Sequence, residues 1–239
     1  MKKIIFTLIC FVMPGITLAA GGHSCGKIDC YKAKTDLSNK ASLQRGAKLF
    51  VNYCMGCHST KFMSYQRMAT DLGLSEDQVL KNLMFKDGKI GDYMTTVKPA
   101  GMNPPDLSLV GRSRGKDWLY TYMKTFYVDE SRPMGVNNLT FSDVGMPHPM
   151  WELEGMKQAV FKKDDQGQMM FDKFETLSEG TLSAAKFDQA VLDLVNYLDY
   201  TGEPAKLVRY SLGVKVILFL IILLIPAYLM KKAFWEDVH

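Results

Sequence analysis

The stretch NYCMGCHST holds Cys54, Cys57 and His58 in the order Cys-x-x-Cys-His. Two thiols at this spacing with an imidazole directly behind them can do one specific job. They form the attachment signal of a c-type haem, with both sulfurs bonded covalently to the macrocycle. The adjoining histidine then offers its ring nitrogen to the iron as the proximal ligand. Other chemistries lack parts. A structural zinc site needs four ligands, and the sequence has no second Cys-x-x-Cys or His pair. A thioredoxin-like pair should open a helix that follows a strand, whereas here a helical pattern precedes the motif.

A haem iron offers a sixth position, and the stretch DVGMPHPMWELEG crowds Met146, His148 and Met150 into five residues between two prolines. Proline stiffens the backbone, which suits a loop that must hold a ligand at a fixed distance. A thioether on the iron raises the reduction potential, and a second imidazole lowers it. Most of the 16 methionines are expected to fill core space. Residue chemistry alone leaves Met146, His148, Met150, Met134 and Met156 open as distal ligands.

The elements that must carry these residues follow from periodicity. SLQRGAKLFVNYC puts Leu43, Ala47, Phe50 and Tyr53 on one helical face that ends where the haem motif begins. Gly46 in its middle costs about 1 kcal/mol against alanine, which makes sense if another helix crosses closely there. In LSEDQVLKNLMF, Ser75 and Gln78 form a capping box, and Leu74 with Val79 is placed for a hydrophobic staple. A third helix is expected from about Lys116 through Tyr127, and a last soluble one over FDQAVLDLVNYLDYTGEP, stopped by Gly202 and Pro204. Only KQAVFKKDDQGQMMFDKF reads as a hairpin, turning near 164–167. The long connections 86–115 and 128–156 are expected to wrap the cofactor.

The two ends of the chain set the compartment. Residues 1–20 combine Lys2 and Lys3, a ten-residue apolar run and a small-residue cleavage site, the anatomy of a secretory signal peptide. Near the other end, the only charge over 212–230 is Lys215, with Lys231, Lys232 and Trp235 just beyond. Positive charge marks the cytoplasmic side of a membrane helix. The expected organisation is a signal at 1–20, an exported domain at 21–210, a transmembrane anchor at 211–231 and a cytoplasmic tail at 232–239. The formal +4 charge lies mostly in the two ends, so no basic field for nucleic acid remains. In an oxidising compartment Cys25 and Cys30 are expected to pair as a short-loop disulfide. A metal site with His23 would want a fourth ligand, and free thiols stay open.

These pieces together resemble a known family. ASLQRGAKLFVNYCMGCHS, NPPDLSLVGRSRGKDWLYTYM, SRPMGVNN, VGMPHPMWELEG and a terminal anchor look like cytochrome c1, the haem subunit of the cytochrome bc1 complex, in its bacterial form. The haem motif is shared by all c-type cytochromes; the Pro-Pro-Asp-Leu-Ser run and the anchor discriminate. The resemblance implies a mainly α fold: a c-type cytochrome domain with long haem-wrapping loops and a small hairpin, plus one C-terminal transmembrane helix. It implies a single covalent haem c on Cys54 and Cys57, with His58 and Met146 as iron ligands. Pro104 and Pro105 would lie against the haem, Arg112 would pair with a propionate, and Trp118 stands where the family has an aromatic near the ring. The implied partners are cytochrome b, a Rieske iron–sulfur protein as donor and a cytochrome c or similar carrier as acceptor, in a dimeric complex of a bacterial inner membrane with the haem domain in the periplasm. The chain alone is then an electron carrier within a quinol–cytochrome c oxidoreductase. Cys25 and Cys30 depart from the family pattern.

Three rival functions are distinguishable. A peroxidase-type haem enzyme needs an open distal site, which cyanide or carbon monoxide would reveal. A sensor needs a cytoplasmic signalling domain, yet about nine residues follow the anchor. A free-standing tethered cytochrome c would purify without a cytochrome b or Rieske protein.

Overall fold

The computed structural model describes residues 24–84, 87–97, 99 and 101–236. The signal segment 1–20, His23 and part of the 86–115 connection lie outside them.

The core forms where two helices cross. Helix α1 (Lys40–Tyr53) opens on Asn39, whose side chain accepts from the Ser42 amide. It buries Leu43, Ala47, Phe50 and Val51 against a long helix near the end of the domain, Ala184–Gly202. A Cβ built on Gly46 would fall 2.1 Å from the Asp193 carbonyl oxygen of that partner. The glycine therefore permits a backbone-on-backbone approach, as its place in the sequence suggests. Beside the crossing, Asp193 is buried and accepts from Ser42, from Gln189 and, with both oxygens, from the Arg45 guanidinium. A buried carboxylate needs that many donors to offset its lost hydration.

After α1 the chain forms β1 (Thr60–Ser64), α2 (Tyr65–Leu72), α3 (Glu76–Asn82) and β2 (Tyr93–Met94). Ser75 and Gln78 make the expected reciprocal capping box on α3. Next come α4 (Val110–Ser113), α5 (Lys116–Lys124), β3 (Phe126–Val128), β4 (Val136–Asn138) and α6 (Trp151–Glu154). The hairpin of β5 (Gly155–Lys163) and β6 (Met169–Glu179) precedes α7 (Ala184–Gly202) and α8 (Lys206–Phe234).

Two details differ from the sequence pattern. Helix α5 ends at Lys124, and Phe126–Val128 leaves it to pair antiparallel with Val136–Asn138. An aromatic and β-branched triplet suits a half-buried strand as well as a helix face, so its partner decides. The hairpin is also not the only β pairing, since β1 meets β2 and β3 meets β4.

Helix α7 is the hub. Besides the expected Phe187, Val191, Leu194 and Leu198 it buries Tyr197, Tyr200 and Asn196, with α1, α4 and α5 packed around it. The Tyr197 hydroxyl lies 3.4 Å from the sulfurs of both Met68 and Met94, so methionines fill the core and accept weak hydrogen bonds there. Helix α8 is different: Leu212–Phe234 runs for 23 residues, an 18-residue stretch of it has a mean hydropathy of 2.6, and none of that stretch is buried. At about 1.5 Å per residue it reaches roughly 34 Å, enough for a hydrocarbon core of about 30 Å. Its composition and length fit a membrane span, with Pro226 near its end.

Candidate haem site

The haem motif sits where α1 unwinds. The amides of Cys57 and His58 both donate to the Cys54 carbonyl, which coils the two cysteines and the histidine into one tight turn. Cys54 and Cys57 are the free cysteines among the described residues. Burial, and then the neighbouring Cys57, push the Cys54 thiol up to about 12, so it stays protonated at neutral pH. Cys57 is exposed.

His58 is buried, and its Nδ1 lies 2.7 Å from the Pro105 carbonyl oxygen. A carbonyl can only accept, so Nδ1 carries a proton, which in the neutral ring leaves the lone pair on Nε2. This is the tautomer an iron ligand requires, fixed by the hydrogen bond on the far side of the ring.

The Pro-Pro-Asp-Leu-Ser run is tied along the chain that leaves the motif. The Leu107 amide donates to the Ser59 carbonyl, the Lys61 amide to Asp106 Oδ2, and the Phe62 amide to Ser108 Oγ. Asp106 also accepts from the Ser108 amide. Burial draws the Asp106 carboxyl upward, but hydrogen bonds from Ser108 and Lys61 outweigh it and hold the group below its ordinary value. Pro104 is half-buried and Pro105 exposed. Pro105 thus acts on His58 through its main chain, a role its side chain does not advertise.

A second group lies on α5 and the loop beyond it. Trp118 is buried and stacks on Tyr122, ring centroids 4.9 Å apart, with Phe141 edge-on. The Tyr122 hydroxyl lies 4.0 Å from the Met146 sulfur, and burial raises its pKa. Met146 itself is half-buried. The other distal candidates have different surroundings. Met150 is fully buried in the main core, Met134 is exposed, and Met156 packs partly buried on the small cluster of Phe126, Val136 and Val144. His148 is buried, stacked on Phe126 at 4.9 Å, with Nε2 2.8 Å from Glu154 Oε2 and Nδ1 unpartnered among the described residues.

Arg112 is exposed on α4, its stem against Gly202, and makes no ion pair among the described residues. The sequence reading passed over Arg114. Its guanidinium lies 5.0 Å from the Trp118 ring centroid and 5.9 Å from that of Phe141. The i, i+4 spacing from Arg114 to Trp118 was the available signal. The disulfide between Cys25 and Cys30 is formed.

The family model described as the Cytochrome C1 family matches residues 31–92 and 85–238. The chain belongs to the cytochrome c1 family. Cytochrome c1 of Allochromatium vinosum is 44% identical over 248 residues, covering 100% of both chains. A protein of Nitrosomonas europaea named ammonia monooxygenase gamma subunit is 41% identical over 246 residues, again with 100% of each covered. Cytochrome c1 of Rhodospirillum rubrum is 26% identical, over 91% of this chain and 90% of that one. Membership places this helix-rich chain among haem proteins of electron transport. Its residues fit that cofactor: two unpaired thiols share a turn with an imidazole whose outer nitrogen is already committed.

Proposed function

We propose that this chain is a membrane-anchored c-type cytochrome that relays single electrons within a quinol–cytochrome c reductase. The observation that carries the reading is the His58–Pro105 hydrogen bond behind a Cys-x-x-Cys-His turn, in a chain whose family is cytochrome c1. Cys54 and Cys57 would hold one haem through thioether links, and His58 through Nε2 and Met146 through its thioether would hold the iron. When bound, the haem supplies a one-electron ferric–ferrous couple. With an imidazole and a thioether both given to the iron, the group would serve electron transfer rather than substrate binding.

Met146 is favoured over its neighbours by its setting. Met150 is wrapped by the core, and the His148 ring is held by Phe126 and Glu154. A thioether favours the ferrous state and gives the high potential that an exit carrier needs. Arg112 is free to pair with a propionate, for which a planar guanidinium is suited. Pro104 and Pro105 make a stiff wall beside His58, and Trp118 closes the apolar side with Tyr122.

Electrons arrive from a Rieske iron–sulfur protein and leave to a cytochrome c or similar carrier. The Leu212–Phe234 helix anchors the domain beside cytochrome b, in a dimeric complex of a bacterial inner membrane. The haem domain, 21–210, faces the periplasm after residues 1–20 are removed, and the tail at 232–239 faces the cytoplasm. A second reading has its own observation, the Nitrosomonas europaea relative named as an ammonia monooxygenase subunit. A reduced-minus-oxidised spectrum of purified membranes, with the identities of co-purifying chains, tests both. Cytochrome b and a Rieske protein support the reductase, oxygenase subunits support the alternative, and neither partner leaves a free-standing cytochrome. Cyanide or carbon monoxide binding to the native protein would point instead to a peroxidase-type enzyme.

A further inference from the structure

The loop closed by Cys25 and Cys30 lies outside the haem motif and is built against the segment that leads to Met146. Cys25 is buried. Gly26, at φ +67°, lays its backbone on the main chain opposite, where a Cβ would fall 2.4 Å from the Leu139 oxygen and 2.9 Å from that of Thr140. The Lys27 amide donates to the same Leu139 oxygen at 3.2 Å.

The residues that follow the loop fasten to α5. The Tyr31 amide donates to Thr121 Oγ1 at 2.8 Å, and the Ala33 amide to Asp117 Oδ1 at 2.9 Å. Lys32 pairs with the other Asp117 oxygen at 2.9 Å. One strap therefore grips both sides of Met146. On one side is the helix that presents Trp118 and Tyr122, whose hydroxyl is 4.0 Å from the Met146 sulfur. On the other are Leu139 and Thr140, from which the chain runs to Met146. That start is itself fixed, because Asn138 Oδ1 accepts from the Thr140 and Phe141 amides and from Thr125 Oγ1.

We propose that the Cys25–Cys30 loop is a positioning clasp for the distal ligand. It holds Gly26 and Lys27 on Leu139 and Thr140 and thereby fixes where residues 141–146 present the thioether. The inference rests on Met146 as that ligand. A six-residue loop free to open would leave this contact to fluctuate, and the closed loop removes that freedom. A ligand whose binding-competent position is populated only part of the time binds more weakly in proportion.

The test uses the full-length holoprotein in detergent. Three perturbations are compared with the untreated protein: Cys25→Ser with Cys30→Ser, Gly26→Ala with the disulfide intact, and the natural protein reduced by a phosphine, alkylated and reoxidised. The last begins from folded protein and leaves thioether-linked haem untouched. The readouts are the near-infrared band of ferric thioether ligation, carbon monoxide binding to the ferrous form, and the midpoint potential. All three perturbations should weaken the band and raise the carbon monoxide-binding fraction about tenfold. The midpoint should fall by about 59 mV per tenfold loss of thioether preference for ferrous iron, with haem content unchanged. Wild-type band, gas resistance and midpoint in all three would overturn the clasp while leaving Met146 in place. Absence of the band from the untreated protein would remove Met146 as ligand, and the clasp with it.

Discussion

Nδ1 of His58 and the carbonyl oxygen of Pro105 are 2.7 Å apart, joining residues 47 positions distant in the chain. Because the acceptor is main chain, no side-chain replacement at Pro105 removes it directly. Its position depends on the ties that follow, and Asp106 supplies two of them by accepting from the Lys61 and Ser108 amides. Asp106→Ala should therefore lower stability by about 0.5–1.5 kcal/mol, the net worth of such partly exposed hydrogen bonds. Thermal unfolding of the holoprotein checks this, and an unchanged melting temperature would mean that the run is held by other contacts.

The same carboxylate gives a pH dependence with a definite sign. Its folded pKa is depressed, burial being outweighed by hydrogen bonds from Ser108 and Lys61. Such a group adds stability above its unfolded pKa of about 3.9 and loses it as pH falls through the lower folded value. The advantage of the natural protein over Asp106→Asn should be flat from about pH 5 to 8 and shrink in acid. An advantage that grows on acidification would contradict the assignment.

At the helix crossing, propensity and packing give opposite forecasts. Alanine is the better helix former by about 1 kcal/mol, so Gly46→Ala should stabilise α1 taken alone. In the fold its Cβ would meet the Asp193 oxygen at 2.1 Å, and α1 must move off α7. Net destabilisation of about 1–3 kcal/mol is expected, typical of overpacking. A raised melting temperature would show that the two helices have room to separate.

Met146→His should retain covalent haem and lower the midpoint sharply, since imidazole stabilises ferric iron relative to a thioether. Redox titration of the purified variant reads this out. An unchanged midpoint would move the distal ligand to another residue, with His148 first in line because its Nδ1 has no partner among the described residues.

The haem motif is legible in the sequence because its parts are local. Cys54, Cys57 and His58 lie within five residues, and the pattern that ends α1 at Tyr53 places them just beyond its last turn. The close crossing at Gly46, the Ser75 capping box and the 164–167 turn also follow from short-range chemistry. Most of what escaped was non-local or carried by main chain. The Pro104–Pro105 pair suggested a wall, and the carbonyl that Pro105 sets on the His58 imidazole is a further contact no side-chain pattern announces. Phe126–Val128 continues the α5 pattern until Val136–Asn138, eight to twelve residues on, supplies a strand partner. Arg114 over Trp118 needed only helical spacing, but Arg112 drew attention as the better match to a family pattern. The Cys25–Cys30 loop shows its neighbour, Leu139, only in three dimensions.

Porphyrin bound through Cys54 and Cys57 underlies every role proposed for this chain, and intact mass spectrometry of the denatured mature chain tests that most directly. It should weigh one iron porphyrin more than its amino acids, and Cys54→Ala with Cys57→Ala should lose the whole increment. A natural chain that weighs only its amino acids, with no porphyrin surviving denaturation, would contradict the account.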